Sequence, residues 1–328
     1  MEYHKEKTKV ENESVTDSNN KSGATTADTA SSSVYDIDKE WIGKSFGKAA
    51  ESYEEAAVLQ KEVANRLVDR LDLVQLTPQV ILDVGSGTGF CGRLLETRYK
   101  KATIVSLDLS QQMLNHTRQQ EGFLKRLRSP HRYVCGDAEC LPIANASVDL
   151  IVSSLALQWC DLEAAFACFR RVLKPDGLLM FSSMGPDTLK ELRQAWSVAD
   201  GFVHVSAFID MHDVGDALIR AGFADPVMDV ENITVTYPTV TKLMQDLKAI
   251  GSRNALEGRL KGLTGKQRLK KMTESYEKLR KDGVLPATYE VVYGHAWVPD
   301  KRDAVNAANS IAPSRFENPF PIPVRGSK

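Results

Sequence analysis

Three glycines and three acids recur where apolar runs end. Gly85, Gly87 and Gly89 alternate through Val84-Gly85-Ser86-Gly87-Thr88-Gly89, and Asp83 stands just before them. Glycines between a strand and a helix let the backbone lie flat against a ligand, because no Cβ intervenes. A dinucleotide fingerprint needs a glycine at the sixth place, for close helix packing beside a pyrophosphate. Phe90 occupies that place, so the loop departs from the dinucleotide pattern. Asp108 closes a second apolar run, 19 residues after Gly89, and Asp137 follows a third in Cys-Gly-Asp-Ala-Glu-Cys-Leu-Pro.

A ligand with a cationic sulfonium, an amino-acid head, a ribose and an adenine, but no phosphate, suits this set. That ligand is S-adenosylmethionine. Asp83 is placed to answer the positive charge, directly or through water. Asp108 can take both ribose hydroxyls with its two acceptor oxygens. Asp137 can take the adenine amino group, with the Ala138 amide on the ring. Ser-Ser-Leu-Ala-Leu-Gln-Trp, Ser153 to Trp159, lies at the rim where such sheets bind ligands. Singly, each feature has a plainer reading: a tight turn, a helix cap, a turn residue, core apolar side chains. Their order, each after a strand, favours the cofactor.

The elements that position these residues read as strand, turn, helix, repeated from Gln79. Continuous apolar runs such as Gln79–Val84 suit strands buried on both faces. Ser110 is an expected helix N-cap, and Leu162–Gly177 reads as an amphipathic helix stopped by Lys-Pro-Asp-Gly. Before this core, apolar stripes at helical spacing predict two helices broken near Ser52 to Glu55. After Asp187 come further helices and two strand-like runs, 226–237 and 287–298. The expected fold is a Rossmann-like α/β domain. Its sheet is seven-stranded and mainly parallel, with helices on both faces, N-terminal helices and a helical insertion before the last strand. Residues 34–299 are read as one domain: a helical cap over 34–77, a cofactor core over 78–186 and substrate-side elements over 187–299. Residues 1–33 and 300–328 are read as disordered tails.

The whole chain narrows the partners. It has 328 residues, 26% charged, with a formal net charge of −1, so nothing global suggests nucleic acid or an anionic membrane. No apolar run is long enough to span a bilayer. The five cysteines form no CxxC pair and the histidines no metal-binding pair, so free thiols in a reducing cytoplasm and no metal are expected. Residues 1–40 contain no arginine and several acids, unlike a mitochondrial leader.

The region from about Asp38 to Asp187 resembles the class I S-adenosylmethionine-dependent methyltransferases. Asp83–Gly89 resembles their glycine motif, and Leu107–Leu114, with Leu109 and Met113, the ribose motif. Gly136–Pro142 resembles the adenine motif and Arg171–Ser182 the post-core motif. Leu155 joins the cofactor set the resemblance implies.

Flanking segments are similar to the malonyl-acyl-carrier-protein O-methyltransferase family, which starts bacterial biotin synthesis. They include Phe46–Leu67, Ser153–Gly177, Met184–Asp200, Leu243–Arg259 and Pro286–Trp297. That family usually carries arginine where this chain has Lys48. A sister family, the mitochondrial complex I assembly factor that hydroxylates an arginine, shares Asp187–Arg193, Ser206–Phe223 and Pro286–Trp297. The leader composition favours the first family and the second stays open.

In the first family a free carboxylate of the malonyl thioester attacks the sulfonium methyl in line. A carboxylate with a pKa near ~4 is already ionised at neutral pH, so no general base is needed and no catalytic dyad is expected. The acyl carrier protein is the implied partner. By the same resemblance Tyr53 sits by the cofactor and closes the site, and Gln158 and Trp159 are the next substrate-side candidates. Lys248, Arg253, Arg259, Arg268 and Lys271 form a basic stretch suited to docking an acidic carrier. A monomer is expected.

Overall fold

Alternation along the central strands sends neighbouring side chains into two separate cores. The computed structural model describes residues 37–120, 131–252, 254–255, 262 and 264–300. Strands β1 (Val80–Val84), β2 (Thr103–Asp108), β3 (Arg132–Cys135), β4 (Val148–Ser154) and β5 (Leu173–Met184) run parallel. Strand β7 (Leu285–Trp297) pairs antiparallel with β5 and with β6 (Ala224–Tyr237). The order is β3-β2-β1-β4-β5-β7-β6, so the seven-stranded, mainly parallel sheet read from the sequence is present. The order reverses direction between β1 and β4, which marks the ligand crevice at their carboxyl ends.

Ile81, Leu150, Val152, Leu178 and Met180 face one core; Leu82, Ile151, Leu179 and Phe181 face the other. The first core is covered by α2 (Val58–Asp69), α3 (Phe90–Arg98), α6 (Lys190–Ala199), α8 (Val240–Ala249) and α9 (Lys266–Glu277). The second is covered by α5 (Leu162–Val172) and α7 (Met211–Arg220). Helices α1 (Lys39–Ala56) and α4 (Gln111–Gln120) flank the carboxyl edge. Both faces of the central strands β1, β4 and β5 are therefore largely dry, which explains their apolar runs, while the edge strands β3 and β6 stay partly exposed.

Local chemistry sets the starts. Asp38 caps α1 by accepting from the Trp41 amide at 2.9 Å, Asp161 caps α5 through Ala164, and Thr239 caps α8 through Lys242. Two expected boundaries move. The break between α1 and α2 falls at Ala57, beyond the expected Ser52–Glu55, in a bend with no glycine or proline to signal it. Helix α5 ends at Val172, and Lys-Pro-Asp-Gly lies inside β5 as a bulge, with Asp176 at φ +60°. The described residues fall in one compact unit. Residues 1–33 and 301–328, expected as tails, lie outside the described residues. Among the described residues no helix is long and apolar enough to cross a membrane.

Candidate functional site

The carboxyl ends of β1, β2 and β4 open into a cavity walled by the glycine loop, Asp108, Asp137 and Leu155. Gly85, Gly87 and Gly89 all have positive φ. A side chain at Gly85 would strike Ala156, and one at Gly89 would strike Thr117, each at 2.3 Å. Nothing stands within 4 Å of the Gly87 position, so there the backbone is bare toward the cavity.

Asp108 holds this loop from the next strand. Its Oδ2 accepts from the Gly87 amide and its Oδ1 from the Ser110 amide, both at 2.8 Å. Each oxygen keeps a lone pair for a diol. Burial raises the Asp108 pKa, and the two amides work against that rise.

Asp83 is placed differently. It is 1% exposed and does not line the cavity. Strand alternation turns it, like Ile81, to the face under α3. There Gly92 leaves room for it: a Cβ on Gly92 would lie 3.2 Å from its Oδ2. Burial, the nearby Asp108 charge and an opposing bond from the Gly92 amide leave its pKa pushed up to about 7. Its Oδ2 has no hydrogen-bond partner. A direct contact of Asp83 with a ligand in the cavity is therefore corrected to an influence through the loop or through water.

Leu109, Met113, Asp137, Ala138 and Leu155 line the cavity as expected, as do Tyr53 and Trp159. The Asp137 carboxylate is engaged: Oδ1 accepts from the Glu139 amide at 3.0 Å and Oδ2 from Lys39 Nζ at 2.6 Å. Lys39, from α1, also pairs with Glu139. Its burial lowers its pKa, but the two carboxylates overcome this and hold the pKa above its ordinary value. Gly89 does not line the cavity; it shapes the turn.

Helix α1 forms the cover. Gly43 and Gly47 bring it against Leu109, Ser110 and Gln112, where a larger residue at Gly47 would crowd within 3.0 Å. Its far end is tied down by Glu54, which pairs with Lys61 and Arg93 at 3.0 Å each. Arg93 in turn donates to the Thr88 carbonyl of the glycine loop. Beyond that loop a second lobe is lined by Ser86, Thr88 and Lys61, and the buried Ser86 hydroxyl has no partner.

Phe46, Tyr53, Leu155 and Trp159 are shared between the cofactor cavity and an inner chamber. Phe46 meets Trp159 edge-on, with centroids 5.8 Å apart. Leu155 sits at φ +51°, an unfavourable conformation for a branched side chain. Three bonds hold it there. Its amide donates to the Ser182 carbonyl and hydroxyl, and its carbonyl accepts from Gln158 Nε2 at 2.7 Å. Gln158 lines the inner chamber rather than the cofactor cavity, and its Oε1 is buried without a partner. Burial and the Asp108 and Glu54 charges push the Tyr53 pKa up, so the phenol keeps its proton as a donor.

Of the basic residues, Lys248 is exposed on α8 and Lys271 on α9, while Arg268 reaches Asp200 at 3.8 Å and lies over Phe202. Arg253 and Arg259 lie outside the described residues. Sequence reasoning missed Lys39, Gln60 and Tyr289 as lining residues, since each comes from an element remote in sequence. A lysine next to the α1 cap was the only local trace of the first.

Residues 82–181 match the model of a methyltransferase domain. The malonyl-[acyl-carrier protein] O-methyltransferase of Methylovorus sp. (strain MP688) is 51% identical over 286 residues, covering 86% of this chain and 96% of that protein. The enzyme of the same description from Laribacter hongkongensis is 54% identical, covering 81% of this chain and 91% of that one. Among solved structures, the YcgJ protein of Bacillus subtilis matches with a TM-score of 0.51 at 15% identity. That match covers 73% of this chain and 99% of that chain, which shows the fold alone.

Proposed function

The chain belongs to the malonyl-[acyl-carrier protein] O-methyltransferase family, and from that premise we propose how its residues convert a malonyl thioester on the carrier into the methyl ester. This is the first step toward the pimeloyl moiety of biotin. The observation that carries the reading is the shared wall: Phe46, Tyr53, Leu155 and Trp159 bound both the cofactor cavity and the inner chamber. A group in one is adjacent to a group in the other.

The residues fit S-adenosylmethionine. Bare backbone at Gly87, free lone pairs on Asp108, an unpartnered Ser86 hydroxyl and two neighbouring acids suit a ligand with a diol, an amino-acid head and a positive charge. Asp108 would hold the ribose, Leu109 and Met113 the apolar side of the base, and Ala138 its edge. Asp137, already bridged to Lys39, would meet the adenine amino group with a remaining lone pair. When bound, the cofactor supplies an electrophilic methyl group to the malonyl carboxylate.

The chain itself supplies alignment. The substrate carboxylate is ionised at neutral pH, so no residue has to remove a proton. Tyr53, kept protonated, is suited to donate a hydrogen bond to one carboxylate oxygen and leave the other free. Gln158 fixes Leu155 and through it the floor of the passage. Met184, Leu189, Phe208 and Ile250 give the chamber an apolar wall opposite polar groups such as Gln60, Thr188 and Ser252, which limits water and strengthens the attraction between carboxylate and cofactor charge. We further propose a cytoplasmic monomer, with no nucleic acid or membrane as partner; a sedimentation run of the purified chain checks the monomer.

The test is direct. Purified protein, labelled cofactor and malonyl-carrier protein should yield a base-labile methyl ester on the carrier. Absence of label from every malonyl thioester offered would overturn the assignment. Tyr53→Phe should lower kcat by about tenfold, as the loss of one positioned hydrogen bond does, with the KM for cofactor held within about twofold.

A further inference from the structure

Two further cavities continue outward from the inner chamber, and they differ in chemistry. The first shares Trp159, Leu189, Phe208, Leu247 and Ser252 with the inner chamber. The cofactor cavity, the inner chamber and this outer cavity therefore form one continuous series. The outer cavity combines an apolar body, including Trp196 and Leu247, with amide and hydroxyl side chains such as Gln245, Ser206 and Thr241. The second is a groove between α1 and α8, lined by Lys44, Lys48 and Lys248. It shares Gln245 and Lys248 with the outer cavity, so it lies at that cavity's rim.

The groove is built rather than incidental. Ser45 Oγ donates to the Gly251 carbonyl and Ser52 Oγ to the Ala249 carbonyl, each at 3.0 Å, which fixes α1 against the end of α8. Lys44 pairs with Glu40. Lys48 and Lys248 carry no ion pair among the described residues, so two cations face one groove uncompensated. An unpaired, solvated ammonium is a ready point-charge partner for phosphate.

We propose that the outer cavity takes the pantetheine arm of the carrier-borne substrate and that Lys48 and Lys248 seat the phosphodiester where that arm joins the carrier. This rests on the malonyl-carrier reading above. The arm's alternation of methylene, amide and hydroxyl groups matches an apolar cavity with scattered amide and hydroxyl partners. Its one anionic group is at the outer end, where the unpaired lysines are. The reacting carboxylate is at the inner end, beside Tyr53 and Leu155. The arm thus threads from the lysine groove past Trp159 to the cofactor.

The experiment compares malonyl-4′-phosphopantetheine with malonyl-pantetheine, which lacks only the phosphate, and uses malonyl-carrier protein as the full substrate. In the wild type the phosphorylated arm should be preferred in kcat/KM. In the double variant Lys48→Gln/Lys248→Gln that preference should fall about tenfold, and the KM for malonyl-carrier protein should rise with little loss of kcat. A second variant, Thr241→Trp, fills the mouth of the outer cavity. It should lower kcat/KM for all three substrates about tenfold, with an unchanged dissociation constant for cofactor as proof of folding. An unaltered phosphate preference in the double variant would overturn the lysine assignment. Full activity of Thr241→Trp with normal cofactor binding would overturn the path. Failure of the wild type on all three substrates would instead count against the malonyl reading itself.

Discussion

Asp83 shows how one residue can cost stability while serving a site. A carboxyl whose folded pKa exceeds its unfolded value favours folding least when ionised. Its cost is absent below the unfolded value, 3.8, grows as pH rises, and is complete above about 7. The displacement corresponds to about 4 kcal/mol of ionised-state cost at pH 8. Asp83→Asn should therefore melt higher than the wild type at pH 8 in the absence of cofactor, and the gain should shrink toward pH 4. A difference that ignores pH would refute this account. The same variant should lose affinity for the sulfonium cofactor more than for the product S-adenosylhomocysteine, which keeps the amino-acid head but lacks the sulfonium charge. At the other end of the cavity, burial first and then the Glu139 charge push the Cys160 thiol up to about 12. At pH 8 only about one thiol in ten thousand is then ionised, and the thiolate is the reactive form. Iodoacetamide should label the exposed Cys135 and Cys140 well before Cys160, as peptide mass spectrometry can follow.

Among the elements, α1 is the one whose position the site depends on most. It contributes Lys39, Phe46 and Tyr53 to the cofactor cavity, and it is held by ion pairs at both ends rather than by an apolar core alone. Lys39→Gln removes a partly buried pair worth about 1 kcal/mol. The KM for cofactor should rise about fivefold, and a lower ionic strength should widen the gap in the wild type's favour, which steady-state kinetics at two salt concentrations would check. Elements were also the scale at which the sequence was most and least informative. Glycine spacing and the strand-end acids are local, so the loop and Asp108 were readable in order along the chain. The side chain of Asp83 was not, because its direction follows from strand alternation and from Gly92 in the next helix. The Lys39–Asp137 bridge spans 98 positions, and no local pattern predicts it. The choice between the two sister families was likewise unreadable from motifs they share, and was decided by similarity over more than four-fifths of the chain.

At the scale of the whole molecule, the sheet is one cooperative surface on which both sides depend. Arg66 on α2 and Arg70 just after its end pair with Glu231 and Asp229 on β6, and Arg70 lies 3.7 Å over the Tyr293 ring of β7. The cofactor side and the substrate side therefore share supports. At Gly294 a Cβ would lie 2.3 Å from Phe181 and 2.8 Å from Met228, on the strands at either side of β7. Gly294→Val should cost about 3 kcal/mol, typical of overpacking a tight core, and should weaken cofactor binding although the position is absent from the cavity wall. A thermal melt with and without cofactor would measure both effects.

The last strand among the described residues does not sit at an edge. β7 is inserted between β5 and β6, so until it is synthesised β6 has no strand partner and β5 has only β4. Until then β5 and β6 present open backbone to anything nearby. Every residue of the cofactor cavity has already been synthesised by Cys160, yet the sheet that holds them is unfinished for more than a third of the chain. A prematurely terminated message would thus produce a chain with the whole cofactor motif and no settled fold. Such a fragment should be cut readily by added protease and should not bind the methyl donor, which limited proteolysis of a chain ended after Cys160 would check.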